Sequence, residues 1–265
     1  MPKTLPHPPQ PGLYLVAGPP GGGKTHWIRE QLLTHPQGSA YGSPSQSGFC
    51  LDLAYLESQT PIQTIDAAQL VEVAYWAQQR PVYLELGFHV DLAALPSFPE
   101  VVPCSRIAIL PPGVALSEWH SWADDLVVGM GPMVPQLPNQ VQKSSLTGEV
   151  FDPASLDVVW HELTHGAYGR VQRAKGLFNL ADGSTFWFSF NAGQPSHFEE
   201  LPRPRCLTGR PAGLSGIEVM GWDVDAGAIA ASLTASCLSD ELLHHHQAQL
   251  RDAQEPVATL SESIL

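Results

Sequence analysis

Apolar residues along the chain fall into short runs separated by polar, glycine- and proline-rich stretches. Leu13-Tyr14-Leu15-Val16-Ala17 is a continuous apolar run that predicts a buried strand. Trp27-Ile28-Arg29-Glu30-Gln31-Leu32-Leu33 continues as a helix from His26, stopped near Pro36. Gly38 to Gly48 is rich in Gly, Ser and Pro and predicts a mobile loop. From Ile65 to Gln79, Leu70, Val71, Val73, Ala74 and Ala77 make an apolar stripe at helical spacing, with Asp66 at its start. Pro81 to Gly87, Arg106 to Leu110 and Asp125 to Gly129 predict three more buried strands, with a short helix over Ser117 to Asp124. Strands alternating with helices predict a parallel sheet covered on both faces. Beyond a proline-rich stretch come a helix over Ala154 to Leu163 and strands over Val171–Leu180, Thr185–Phe190 and Ile217–Trp222. A helix over Ala226–Leu238 closes that set, followed by a polar helix through His244-His245-His246. That order predicts a smaller α+β unit.

The first strand and helix enclose Gly18-Pro19-Pro20-Gly21-Gly22-Gly23-Lys24-Thr25, which fits the phosphate-binding pattern G-x-x-x-x-G-K-S/T. Glycines let main-chain N–H groups turn toward phosphate oxygens, and the helix N-terminus adds partial positive charge there. Lys24 can reach β- and γ-phosphates, and the Thr25 hydroxyl can ligate Mg²⁺. The expected cofactor is Mg²⁺ with GTP or ATP. Glu85, at the end of the second predicted strand, is a candidate for holding Mg²⁺ through water or positioning an attacking water. Lys24 and Glu85 are thus the catalytic candidates; Thr25 and Glu85 are the metal candidates.

Composition sharpens the partners. The 265 residues are 43% hydrophobic and 15% charged, enough for a real core. The 13 Lys and Arg stand against 26 Asp and Glu, a net charge of −13. So acidic a chain speaks against nucleic acid and anionic lipid as partners. No stretch approaches a membrane span, and Met1 to Gln10 has no apolar signal-peptide core. Four widely spaced cysteines, with no C-x-x-C, suggest a reducing cytosol. Self-association is compatible with an acidic, apolar-rich chain of this size.

Gly169-Arg170-Val171-Gln172-Arg173-Ala174-Lys175-Gly176, followed by Leu177-Phe178-Asn179-Leu180-Ala181, resembles the R-A-K-G strand of the CobW family's C-terminal domain. Ile217 to Asp225 resembles that domain's last strand and acidic turn. With the P-loop, the resemblance spans most of residues 12 to 240. It implies a P-loop GTPase domain joined to a small α+β domain, acting in metal insertion or metal homeostasis, often of zinc, on a metalloprotein client. The domains expected are a tail at 1–11, a nucleotide-binding domain at 12–130, a linker at 131–150, a CobW-type domain at 151–240, and a helix with tail at 241–265. The chain departs from the family in three places. Its C-x-C-C motif is reduced to Cys50, and the guanine-reading N-K-x-D is missing after Asp125–Val128, where Gly129-Met130-Gly131-Pro132 follows. Glu85-Leu86-Gly87 is also one residue shorter than the family's E-x-x-G.

Four further patterns compete. His161-Glu162-Leu163-Thr164-His165 is literally the zinc-protease pattern H-E-x-x-H, although no extended third-ligand motif follows and Gly166 ends the helix. Consecutive histidines at 244–246 point about 100° apart on a helix and do not converge on a metal. Phe186, Trp187, Phe188 and Phe190 alternate as a strand with one face in a core and the other against a neighbour. Gly18-Pro19-Pro20-Gly21 is also similar to AAA-type ATPase loops, but no apolar strand ending in paired carboxylates accompanies it. The alternatives to a triphosphatase are therefore a non-hydrolysing nucleotide switch and, behind it, a zinc protease.

Overall fold

The computed structural model describes residues 10–34, 38–44, 49–66, 69, 72–95, 102–131, 138 and 141–254. Among them the chain builds two six-stranded sheets. The first contains β1 (Gly12–Ala17), β2 (Ala40–Gly42), β3 (Gln63–Ile65), β4 (Pro81–Glu85), β5 (Cys104–Leu110) and β6 (Asp125–Val128). Its order is β3-β2-β4-β1-β5-β6 and every pairing is parallel. Both faces are covered, so the strands are apolar nearly throughout. Along β1, Leu13, Leu15 and Ala17 join one core with Val73 and Trp76 of α3 (Val73–Ala77). Val16 faces the other way, against Trp27, Ile28 and Leu32 of α1 (Lys24–Thr34) and Leu51 and Leu56 of α2 (Leu51–Gln59). A short α4 (Glu118–Trp122) precedes β6, held by a capping box between Ser117 and His120.

The second sheet contains β7 (Val141–Ser145), β8 (Val150–Phe151), β9 (Arg170–Leu180), β10 (Thr185–Asn191), β11 (His197–Glu200) and β12 (Gly216–Trp222). Its antiparallel path runs β11-β10-β9-β12-β7, and β8 adds a short parallel pairing to β9. One face packs on α5 (Pro153–Thr164) and α6 (Ala226–Ala235), through Trp160, Leu163, Ala174, Phe178, Phe188 and Ile229. Asp152 caps α5 by accepting the Ser155 N–H at 2.8 Å, with Pro153 in its first turn. The other face carries Leu177 and Trp187 into the core of α1 and α2. Tyr55 of α2 stacks on Trp187 at 4.7 Å. The chain closes with α7 (Asp240–Gln254).

Three sequence expectations are corrected and one helix is added. The stretch after α1 is not all loop: Ala40–Gly42 is a fully buried strand, too short to show a period. Residues 51–59 form α2, which the apolar reading passed over. The expected helix over 65–79 gives up Ile65 to β3 and, among the described residues, is α-helical over Val73–Ala77; residues 67, 68, 70 and 71, with Leu70 and Val71 of the expected stripe, lie outside them. Within 131–150, β7 and β8 belong to the second sheet. The polar residues of β7, Gln-Lys-Ser-Ser after Val141, gave no apolar run to see. The α/β class itself, a parallel sheet with a second mixed unit, is the one observed.

Candidate nucleotide-binding site

β1 ends at Ala17 and α1 begins at Lys24, so the glycine loop lies between them at the carboxyl edge of the sheet. Gly18, Gly21 and Gly23 have φ of 140°, 76° and 97°, the region L side chains avoid, so the loop can be built only with glycine there. Pro19 and Pro20 carry no N–H and cannot donate to phosphate. The Gly22 N–H is held by the Pro19 carbonyl at 3.2 Å. The loop's remaining main-chain donors are Gly21, Gly23 and the first amides of α1, which a helix leaves unpaired. Lys24 is buried, and its ammonium donates to the Gly18 and Pro19 carbonyls at 2.9 and 3.2 Å. Two of its three N–H bonds are used, and one remains for an anion. Burial pushes Lys24 down to about 8, against the pull of Glu85.

β4 lies beside β1, and its last residue, Glu85, pairs in register with Val16. This brings Glu85 to Thr25: the Thr25 hydroxyl oxygen lies 3.1 Å from Glu85 Oε2. The Tyr41 hydroxyl donates to the same oxygen at 3.1 Å. Burial raises the Glu85 carboxyl above its ordinary range, and neighbouring Asp52 adds to that rise. Lys24, Thr25 and Glu85, the residues singled out from sequence, therefore meet at one point.

Three participants were missed. Asp52, in the first turn of α2, lies 3.1 Å from the Thr25 hydroxyl oxygen and is fully buried. Lys175 of β9 crosses from the second sheet to both Asp52 oxygens at 2.6 and 2.5 Å. Burial works to raise Asp52, but Lys175 and Arg173 outweigh it and hold the carboxyl at about 2. Arg173 shares the strand face of Lys175 and, among the described residues, donates no side-chain hydrogen bond. The available signal was the R-A-K-G strand itself: two cations at i and i+2 that share one strand face with the apolar Leu177. Nothing comparable marked Asp52.

A cavity of about 350 Å³ opens over the loop, bounded by Gly21, Gly23, Thr25, Asn191 and Trp187. A second, of about 440 Å³, lies on the side of Ser43, Gly87 and His89. Lys24, Asp52, Glu85, Arg173 and Lys175 line both. The turn after β6 sits against the glycine loop. A Cβ on Gly129 would overlap the Gly22 carbonyl oxygen, and one on Gly131 that of Gly21. Asn191, the last residue of β10, lies against Gly21, and Gln194 just beyond it donates to the Met130 carbonyl of that turn at 3.4 Å.

The donor set around Thr25 is a hydroxyl and two carboxylates, hard oxygens that suit Mg²⁺. Zinc fits less well. Cys50 caps α2 through its sulfur and is pushed up to about 12, chiefly by burial, so it is a thiol and not a thiolate ligand. Among the described residues no group of three or more His, Cys, Asp or Glu side chains is placed to hold a metal. In the H-E-x-x-H stretch, His161 and His165 stack at 3.8 Å, His165 Nδ1 lies 2.8 Å from the His161 carbonyl, and Glu162 is taken by the Tyr168 hydroxyl. His245 and His246 have ring centres 6.2 Å apart on α7.

No family model and no curated protein matches the chain. Two solved structures align along most of it. Zinc(II)-bound YjiA GTPase from E. coli is 12% identical with a TM-score of 0.30, covering 84% of this chain and 98% of its own. A zinc(II)-bound triple mutant of YjiA GTPase is 12% identical with a TM-score of 0.32, covering 86% and 99%. Likeness at that level carries no argument about family or activity. Among the described residues no helix is long and apolar enough to cross a membrane.

Proposed function

We propose that this chain binds a nucleoside triphosphate with Mg²⁺ in the cleft over Gly18–Thr25 and hydrolyses it. The observation that carries the reading is the convergence of a glycine loop in left-handed turns, a buried Lys24 with one donor to spare, and Thr25 between two carboxylates. The amides of Gly21, Gly23 and the start of α1, with Lys24, hold the phosphate chain. Thr25, Asp52 and Glu85 would hold the cation. Bound Mg²⁺ would neutralise charge building on the transferred phosphoryl group. With no N-K-x-D, the base is left to the cleft walls, and both GTP and ATP are to be assayed. Lys24→Ala should abolish binding of a labelled triphosphate; unchanged affinity would refute the site.

A second reading, a switch with little turnover, is favoured by Glu85. A buried carboxyl held toward its protonated form and bonded to Tyr41 is a weak base for activating water. Steady-state phosphate release with GTP and ATP separates the two readings. A metal-homeostasis role, implied by the resemblance alone, would be favoured by one equivalent of zinc that a Cys50→Ser variant loses.

A further inference from the structure

We infer that Arg173 and Lys175 of β9 form the terminal-phosphate half of the nucleotide site, so that the second sheet distinguishes a triphosphate from a diphosphate. This rests on the nucleotide reading above and extends it across the boundary between the sheets. The two residues are two apart on one strand and so share a face. Ala174 and Phe178, on the opposite face, are buried against the α5–α6 layer, which fixes the cationic face toward the P-loop. Lys175 is 4% exposed, an unusual cost for an ammonium unless a site requires it. Its partner Asp52 is the same carboxylate that touches Thr25. One oxygen of that carboxylate, Oδ1, bridges the Lys175 ammonium and the Thr25 hydroxyl next to Lys24.

Arg173 lines both cavities with its donors unused among the described residues. Lys24, Arg173 and Lys175 face one cleft and repel one another; Arg173 and Lys175 both act against the charge on Lys24. An anion among them removes that repulsion. A phosphate chain held at its inner groups by the loop amides and Lys24 presents its last group to the β9 cations. Lys175 then trades part of its bond to Asp52 for a terminal-phosphate oxygen. Asp52 is released toward the cation beside Thr25. A diphosphate ends before that exchange and leaves the Lys175–Asp52 pair intact.

The test is a titration of the full chain with Mg²⁺ and two fluorescent ligands, a nucleoside diphosphate and a non-hydrolysable triphosphate of the same base. The wild type should prefer the triphosphate. Lys175→Gln and Arg173→Gln should each lower that preference by roughly ten-fold, the effect of one charge-assisted hydrogen bond. Lys175→Arg should recover part of it. Should Lys175→Gln fold poorly, the Asp52→Asn/Lys175→Gln pair removes the unpaired carboxylate and still lacks the cation, and Arg173→Gln leaves the ion pair in place. A preference unchanged in all these variants overturns the inference while the nucleotide reading stands. Failure of the wild type to bind either ligand overturns both.

Discussion

Removing the Lys175 side-chain charge should cost much of the chain's stability, and restoring neutrality at Asp52 should return most of it. Lys175 and Asp52 side chains are 6% and 2% exposed and meet at 2.5 Å. Lys175→Met fills similar volume and leaves a buried carboxylate whose remaining side-chain hydrogen bond, among the described residues, is from the Thr25 hydroxyl. Breaking a buried pair from one side costs about 3 kcal/mol or more, because the abandoned charge loses its compensation. For a chain of this size each kcal/mol moves Tm by roughly 2–4 °C, so Lys175→Met should lower Tm by about 6–12 °C. The Lys175→Met/Asp52→Asn double variant should recover most of that loss, since an apolar or neutral pair of similar shape is tolerated. The assay is thermal and urea unfolding of the four proteins of the cycle, without nucleotide. The pair should show a coupling of at least about 1 kcal/mol. Additive losses, or a Tm within about 2 °C of wild type for Lys175→Met, would mean that β9 does not dock on α2 through this pair.

Acid unfolding should report the same carboxylate. Asp52 is lowered from 3.8 to about 2, so its contribution is complete above pH ~4 and is lost as pH falls through 2, about 2 kcal/mol in all. Asp52→Asn should flatten the stability profile between pH 4 and 2. Glu85 is shifted the opposite way, so its contribution is present below 4.5 and lost as pH rises through its folded value; Glu85→Gln should gain on the wild type toward neutral pH. Gly131→Ala should weaken triphosphate binding by ten-fold or more, because the added methyl meets the Gly21 carbonyl and displaces the turn from the loop. Affinity equal to wild type would show that this turn plays no part in shaping the site.

What the sequence disclosed was whatever had a local period or a local motif. Leu13–Ala17 of β1, Val82–Leu84 of β4 and Ile107–Leu110 of β5 are unbroken apolar runs, and the glycine loop is recognisable because its φ angles admit few residue types. Glu85 was legible because it ends a strand. α2 was not: its nine residues follow a Gly/Ser/Pro stretch and mix Asp52 and Glu57 among apolar positions, so neither period dominates. Asp52 looks like any acidic residue favouring a helix N-terminus. Its burial and its tie to Lys175 depend on a contact between residues 123 apart in the chain. Likewise, β7 and β11 are polar strands at the ends of the second sheet's path, and pairing with neighbours, not hydrophobicity, defines them.

The same long-range contacts bear on how the chain works. Leu177, Trp187 and Leu201 of the second unit share one core with Val16, Tyr41 and Ile107 of the first, and α2 lies between them. An apolar layer of that kind resists independent swinging of the two sheets, since separating them would expose Leu177 and Trp187 to water. Movement in response to a ligand is therefore more economical at the polar groups that line the cleft than in the apolar core: the buried Lys175–Asp52 pair, and the turns at Gly129–Gly131 and Asn191–Gln194. These are the elements that border the glycine loop. A ligand that changes the partner of Lys175 acts at the edge of a packed core. It can alter the fit of β9 against α2 by re-pairing charges, without having to open the apolar contact beneath.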